Sequence, residues 1–200
     1  MTDMFKEKAK DWDMDEMVRQ LSSSISKSII ENIELGSDMH VMDFGAGTGL
    51  ITSKIASHVS KITAVDISQS MLDQLSEKEE LKEKVEILCQ DITKDATGLE
   101  YDLIMSAMAM HHVDDTDNMI KQFSAHLKPG AKVALADLDK EDGSFHPEGI
   151  EGVYHDGFER EAFQNKLEAN GFKDVNFVTA LSVYKNAKTY PVFLALATKA

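Results

Sequence analysis

Three acids, three glycines and a group of histidines are the residues of this chain whose types and spacing could do chemistry. Asp43 closes the apolar run Val41-Met42 and is followed by Phe44, Gly45, Ala46, Gly47, Thr48 and Gly49, with glycine at alternate positions. Glycine lets the backbone pass close to a ligand and takes φ > 0 without steric cost, and a helix opening at Thr48 would aim its free N–H groups into the same crevice. That combination suits a nucleotide-like ligand. A dinucleotide fingerprint needs a small residue five positions after the first glycine, and Leu50 stands there, which argues against NAD or FAD.

Two further acids repeat the position of Asp43. Asp66 ends the apolar run 61–66 and precedes Ile67, and Asp91 follows the run 85–90 and precedes Ile92. Each acid then stands at the carboxyl end of a strand, the edge at which open α/β sheets bind ligands. The two oxygens of Asp66 can accept from vicinal ribose hydroxyls. Its other reading, a helix cap, falls to Ser68, which precedes a helix bearing Met71, Leu72 and Leu75.

Four of the seven histidines fall in two places, His111-His112 after the run 101–107 and His146 and His155 within the loop 140–157. Imidazole titrates near neutral pH and is the usual general base for an acceptor that must lose a proton. Of the pair, one is expected to point inward and the other, His112, to face substrate. His146 and His155 have a plainer alternative as loop-ordering residues. A metal site built from these histidines with Asp137 or Asp139 is disfavoured by the irregular spacing and the absence of His-x-x-x-His or a cysteine ligand, so no metal is assigned.

Periodicity supplies the elements that must hold these groups. Met17, Val18, Leu21, Ile25 and Ile29 recur at helical spacing and predict a helix over 15–33, preceded by an amphipathic stretch with Phe5, Ala9 and Trp12. Strands are expected at 39–44, 61–66, 85–90, 101–107, 132–138, 174–183 and 191–198, with helices at 48–58, after Ser68, at 114–127 and at 158–170. Lys128-Pro129-Gly130 is expected to end the helix at 114–127, and Gly171 the last. Alternation of strands with helices predicts a doubly wound α/β sheet. A chain of 200 residues suits one domain, with 1–35 as an N-terminal helical cap.

Composition narrows the partners. Acidic side chains number 35 against 21 basic, a formal charge of -14, so nucleic acid would meet net repulsion. No apolar run is long enough to span a bilayer, the charged N-terminus lacks a leader's apolar core, and the lone Cys89 precludes an internal disulfide. The expected location is the cytoplasm, with no membrane partner, and Cys89 is expected in the core or at a pocket edge.

The acid-x-Gly-x-Gly-x-Gly form at Asp43 resembles the first motif of the class I S-adenosylmethionine-dependent methyltransferases. The acids at Asp66 and Asp91, the tail Ser106-Ala107-Met108-Ala109-Met110-His111-His112-Val113 and the turn Leu127-Lys128-Pro129-Gly130 are similar to that family's small-molecule members, in the same order. The resemblance implies a Rossmann-like seven-stranded sheet, mostly parallel with an antiparallel last strand. It implies S-adenosyl-L-methionine as cofactor, held by Asp43, Gly45, Ala46, Gly47, Gly49, Asp66, Ile67, Met71, Asp91, Ile92 and Ser106. Asp66 would hold the ribose, Asp91 the adenine amino group with Ile92 against the ring, and Asp43 the methionine end through backbone or water. His112, His146 and His155 are the expected catalytic residues. An aromatic N-terminal segment such as Phe5 to Trp12 often closes over ligand in similar proteins.

The Asn/Asp-Pro-Pro-aromatic signature of base amino-methylation is missing after the fourth strand, and one cysteine excludes a multi-thiol mechanism. The expected reaction is methyl transfer to a nitrogen, oxygen or sulfur of a small molecule. The rivals are a non-enzymatic module binding the same cofactor and, more remotely, a histidine-site metal-dependent hydrolase. Only a ligand that binds the native state stabilises it. S-adenosylhomocysteine should therefore raise the melting temperature and NAD should leave it unmoved, and the reverse result would overturn the reading of Leu50.

Overall fold

The computed structural model describes residues 3–147 and 149–200, so Met1 and Thr2 of the expected cap and Glu148 of the 140–157 loop lie outside the described residues. Seven strands, β1 (His40–Phe44), β2 (Lys61–Asp66), β3 (Val85–Cys89), β4 (Tyr101–Ala107), β5 (Leu127–Leu138), β6 (Phe172–Lys185) and β7 (Lys188–Lys199), form one sheet in the order β3-β2-β1-β4-β5-β7-β6. The first five run parallel, and β7 is antiparallel to both β5 and β6. Strand order reverses between β1 and β4, so the crevice of this doubly wound sheet opens at the carboxyl ends of those two strands.

Period-two alternation sends successive side chains to opposite faces. Val41, Ile62 and Leu103 pack with α1 (Glu16–Asn32), α2 (Leu50–Ile55) and α3 (Gln69–Ser76) through Ile25, Ile29, Ile55, Leu72 and Leu75. Met42, Val65 and Ile104 pack on the other face with α4 (Thr116–His126) and α5 (Arg160–Ala169) through Ile120, Phe123, Phe163 and Leu167. Both faces of the central strands are covered, as near-continuous apolar strands require. Asp15 caps α1, its carboxylate accepting from Val18 N at 3.1 Å, and Ser68 caps α3, its hydroxyl accepting from Met71 N at 3.3 Å.

Several boundaries differ from the periodicity. The helix after the glycine turn starts at Leu50, because Gly49 takes a left-handed conformation as its N-cap and leaves Thr48 outside. α4 ends at His126, and Lys128-Pro129-Gly130 falls inside β5. Tyr101 pairs with Leu127 and Leu103 with Lys132, so the intervening residues form an irregularity on the strand. β6 and β7 extend beyond their apolar cores into a hairpin that turns at Asn186 and Ala187, both at positive φ. Cys89 is exposed at the end of β3 and is not a core residue.

The sheet and the glycine turn are tied together by Asp43. Its side chain is 1% exposed at the end of β1, and Thr52 of α2 donates its hydroxyl to Oδ2 at 2.5 Å. Burial pushes this carboxyl up to about 7 from 3.8, with neighbouring Asp66 adding to the shift and the Thr52 hydrogen bond opposing it. The folded chain thus holds a proton that the unfolded chain releases, and its contribution to stability is lost as pH rises from about 4 through about 7. His112 and His146, both lowered to about 4, act oppositely as pH falls below 6.5, so a comparison with Asp43→Asn isolates the carboxyl. Chemical denaturation from pH 4 to 8 should show the Asn variant gaining on the wild type by about 1.4 kcal/mol per unit across that window. A pH-independent difference would contradict the assignment.

Candidate active site

The glycine turn between β1 and α2 is the floor of the crevice. Gly45, Gly47 and Gly49 all have positive φ, at 70°, 54° and 79°. A Cβ at Gly45 would lie 2.4 Å from Ala109 Cβ and one at Gly49 2.2 Å from Leu75 Cδ1, whereas Gly47 has nothing within 4 Å. Two of the glycines therefore serve close packing, and Gly47 leaves open space for an approaching group. Ala46 is buried beside them.

Asp66 braces the same turn from β2. Its Oδ2 accepts from Gly47 N at 2.8 Å and its Oδ1 from Ser68 N at 2.9 Å. Burial raises this carboxyl, and the hydrogen bonds from Ser68 and Gly47 pull against the rise. Asp91 takes the third position, accepting from Thr93 N at 3.0 Å, Thr93 Oγ1 at 2.5 Å and Lys94 Nζ at 2.6 Å. Its partial burial works upward but is outweighed by Lys94 and Thr93, which hold the carboxyl below its ordinary value.

The apolar members of the expected cofactor set divide. Ile67 is half-exposed beside Asp66, while Ile92 and Met71 are packed in the core. The apolar side chain exposed at this edge is Ile67, and Ile92 is buried. Ser106, near the end of β4, has a fully buried Oγ with no hydrogen-bond partner among the described residues.

The N-terminal segment crosses this edge. Asp3 Oδ1 accepts from Ser68 Oγ at 2.7 Å, and its Oδ2 accepts from Ser70 N at 3.0 Å and Ser70 Oγ at 2.5 Å. Burial would lift the Asp3 carboxyl, but the Ser70 and Ser68 hydrogen bonds bring it down to about 2. Asp13 accepts from Thr48 Oγ1 at 2.5 Å and pairs with Lys78 at 2.8 Å. Between these anchors Phe5 meets Trp12 edge to face at 5.8 Å and His112 at 5.6 Å. Sequence reasoning found the aromatic residues and missed the two acids. The only available signal was a pair of acids flanking an aromatic stretch.

The histidines form the opposite wall. A short 3-10 turn, Met110–His112, follows β4 after Met108, which sits at φ 56°, an uncommon conformation for a non-glycine residue. His111 is 1% exposed, and its Nδ1 lies 2.8 Å from Asp137 Oδ1 while its backbone N donates to Asp137 Oδ2 at 3.1 Å. His112 places Nδ1 2.6 Å from the Gly152 carbonyl oxygen. The His111 ring lies 4.2 Å from His112 and 5.0 Å from His146. His146 Nε2 is buried and unpartnered among the described residues. His112 and His146 are each lowered to about 4, first by desolvation and then by His111, so both are neutral at pH 7.

His155 stands apart from this cluster. It places Nε2 2.8 Å from the Val113 carbonyl oxygen and packs against Phe158. Asp139 is engaged by Arg160 through two hydrogen bonds of 2.7 Å. Among the described residues no group of three or more His, Cys, Asp or Glu side chains is arranged to hold a metal ion. The His111–Asp137 pair is a feature that sequence reading missed, because one partner lies on the turn after β4 and the other on β5.

Comparison with known proteins agrees with this geometry. Residues 41–130 match the family model described as a methyltransferase domain. An uncharacterized methyltransferase of Schizosaccharomyces pombe is 30% identical over 185 residues, covering 84% of this chain and 63% of that protein. One of Bacillus velezensis is 30% identical over 144 residues, covering 70% and 67%. The chain thus spans less than two thirds of the length of the first of these relatives and about two thirds of the second. Among solved structures, the methyltransferase of a Haloferax volcanii complex with a methyltransferase activator has the same fold, with a TM-score of 0.77 at 14% identity over 100% of this chain and 99% of that one. With the acids, the glycine turn and the sheet order in place, the chain belongs to the class I S-adenosylmethionine-dependent methyltransferases.

Proposed function

We propose that this methyltransferase acts in the cytoplasm on a small-molecule acceptor, as one domain of 200 residues with 1–35 as its cap. The observation that carries the reading is the meeting of two walls at one sheet edge. Three acids and an open Gly47 stand on one side, and neutral imidazoles under Phe5 on the other. A net charge of -14 disfavours a polyanionic acceptor, and no helix among the described residues is long and apolar enough to cross a membrane.

The residues present fit a cationic nucleoside cofactor. The space over Gly47 admits a close approach, and the unpartnered Ser106 Oγ can take a hydrogen bond. Asp43, Asp66 and Asp91 supply negative charge along the edge, and half-exposed Ile67 an apolar surface. In this reading Asp66 holds the ribose, Asp91 and Ile67 the adenine end, and Asp43 the methionine end by way of Thr52 and the turn backbone. When bound, S-adenosylmethionine supplies a methyl group already activated on a sulfonium. The chain's own contribution is alignment and exclusion of water, which can supply several kcal/mol. Asp3 and Asp13 hold the Phe5 to Trp12 cover across the crevice. His112 and His146 border the acceptor, and His155 acts on turnover through the loop it ties to Val113.

The test separates the two walls. Asp66→Asn keeps an acceptor for Gly47 N but removes the charge, and calorimetry should show S-adenosylhomocysteine binding about tenfold weaker or more, from a lost interaction of about 1.5 to 3 kcal/mol. His146→Ala and His155→Ala should lower methyl transfer to a panel of thiols, amines and phenols while leaving that affinity intact. Unchanged affinity in Asp66→Asn would sink the ribose assignment. Equal loss of affinity in the histidine variants would make the loop a cofactor clamp.

A further inference from the structure

The N-terminal strap, residues 3–14, touches both walls of the crevice. Asp3 reaches the start of α3 at Ser68 and Ser70. Met4 lies against the 140–157 loop, where a Cβ at Gly152 would fall 2.4 Å from Met4 Cε. Phe5 meets His112, whose Nδ1 lies 2.6 Å from the carbonyl oxygen of that same Gly152. At its far end the strap is tied by Asp13 to Thr48 and Lys78.

Asp3 is placed to hold the strap and not to bind a ligand. A carboxylate has about four lone-pair sites. Those of Asp3 accept from Phe5 N at 3.1 Å, Ser68 Oγ at 2.7 Å, Ser70 N at 3.0 Å and Ser70 Oγ at 2.5 Å. Asp66 accepts from backbone N–H groups at Gly47 and Ser68, which leaves it room for ribose hydroxyls. The two carboxylates are held on one residue, since Ser68 donates its N–H to Asp66 and its hydroxyl to Asp3. Like charges so close oppose each other's ionisation, and Asp3 adds to the rise at Asp66 as Asp66 does at Asp43. Among the described residues no lysine, arginine or histidine pairs with any of these three acids.

We propose that Asp3 is a charge-sensing latch, which keeps the strap shut over the positively charged methyl donor and releases it once transfer has left the neutral sulfide. The proposal rests on the cofactor reading of this edge and adds product release to it. S-adenosylmethionine and S-adenosylhomocysteine differ by one methyl group and one positive charge. In transfer the methyl passes to the acceptor, the carbon–sulfur bonding pair stays on sulfur, and the charge disappears beside the ribose that Asp66 holds. While present, that charge offsets the repulsion among Asp3, Asp66 and Asp43, so the latched form favours the donor and, by linkage, the donor favours the latched form. Without it the repulsion is uncompensated, and Asp3 leaves Ser68 and Ser70.

Two readouts on the full chain test this, with Asp3→Asn keeping the size of the side chain and one oxygen acceptor but not the charge. Trypsin cleavage after Lys6, Lys8 or Lys10, all exposed on the strap, reports opening when followed by mass spectrometry. Saturating S-adenosylmethionine, or sinefungin with an ammonium in place of the sulfonium, should slow that cleavage in the wild type severalfold more than saturating S-adenosylhomocysteine. In Asp3→Asn the ligands should protect alike. By calorimetry, the wild-type preference for S-adenosylmethionine over S-adenosylhomocysteine should fall about three- to tenfold in Asp3→Asn. Salt at about 1 M, where the screening length is about 3 Å, should erode the same preference in the wild type, which a purely structural role for Asp3 would not produce. Equal protection by donor and product in the wild type overturns the latch, even if the variant folds poorly, and so does an unchanged preference in a folded Asp3→Asn. Absence of binding by either ligand would instead bring down the cofactor reading, and the latch with it.

Discussion

The hydrogen bond from Thr52 to Asp43 is made where water does not reach, between the end of the central strand and the helix that follows the glycine turn. A carboxyl in such a place is costly to ionise, and the second carboxyl nearby, Asp66, makes it costlier. Yet the turn depends on both. Asp43 anchors α2, and Asp66 receives the N–H of Gly47, so the two acids fix the backbone on either side of the open glycine. Everything that borders the crevice is referred to that turn. Ala109 packs against Gly45, Leu75 against Gly49, and the N-terminal cover reaches Thr48 through Asp13.

Such a turn holds two carboxyls at raised proton affinity, which a docking cation would help to ionise. The opposite wall is built the other way. His112 and His146 are kept neutral by burial and by neighbouring His111, against an upward pull from Asp137, the carboxylate that is hydrogen-bonded to His111. A positively charged methyl donor on one side and neutral imidazoles on the other would share a crevice closed above by Phe5 and Trp12. The loop that carries His146 is itself fastened to the β6–β7 hairpin. Lys185 Nζ donates to the Phe145 carbonyl at 2.5 Å, and Ser144 and Tyr190 hydroxyls lie 2.8 Å apart. The wall is therefore positioned by strands far along the chain.

What could be read in the sequence follows from how local each signal is. The strands carrying Asp66 and Ser106 were legible to the residue, because a buried parallel strand announces itself as an apolar run bounded by polar turns. The helix at Leu50 was placed early, since a glycine in the left-handed region acts as a cap without leaving a side-chain signal. The ends of β6 and β7 were placed short, because hairpin pairing continues through polar residues whose partners lie across the sheet. At the site, the glycine turn and its acids were visible as spacing. The His111–Asp137 pair, the Asp3 contacts to Ser68 and Ser70 and the burial of Ile92 were not, because each depends on residues brought together from separate elements.

The central claim, that the glycine turn and its buried acids receive a cationic cofactor, predicts that the Asp43 carboxyl ionises when that cation docks. It can be measured as protons released on binding, from titration calorimetry of S-adenosylmethionine in buffers of different ionisation enthalpy. With the free carboxyl at about 7, binding at pH 7 should release roughly half a proton more from the wild type than from Asp43→Asn, and the difference should vanish at pH 9. Equal proton release from the two proteins at pH 7 would contradict the account.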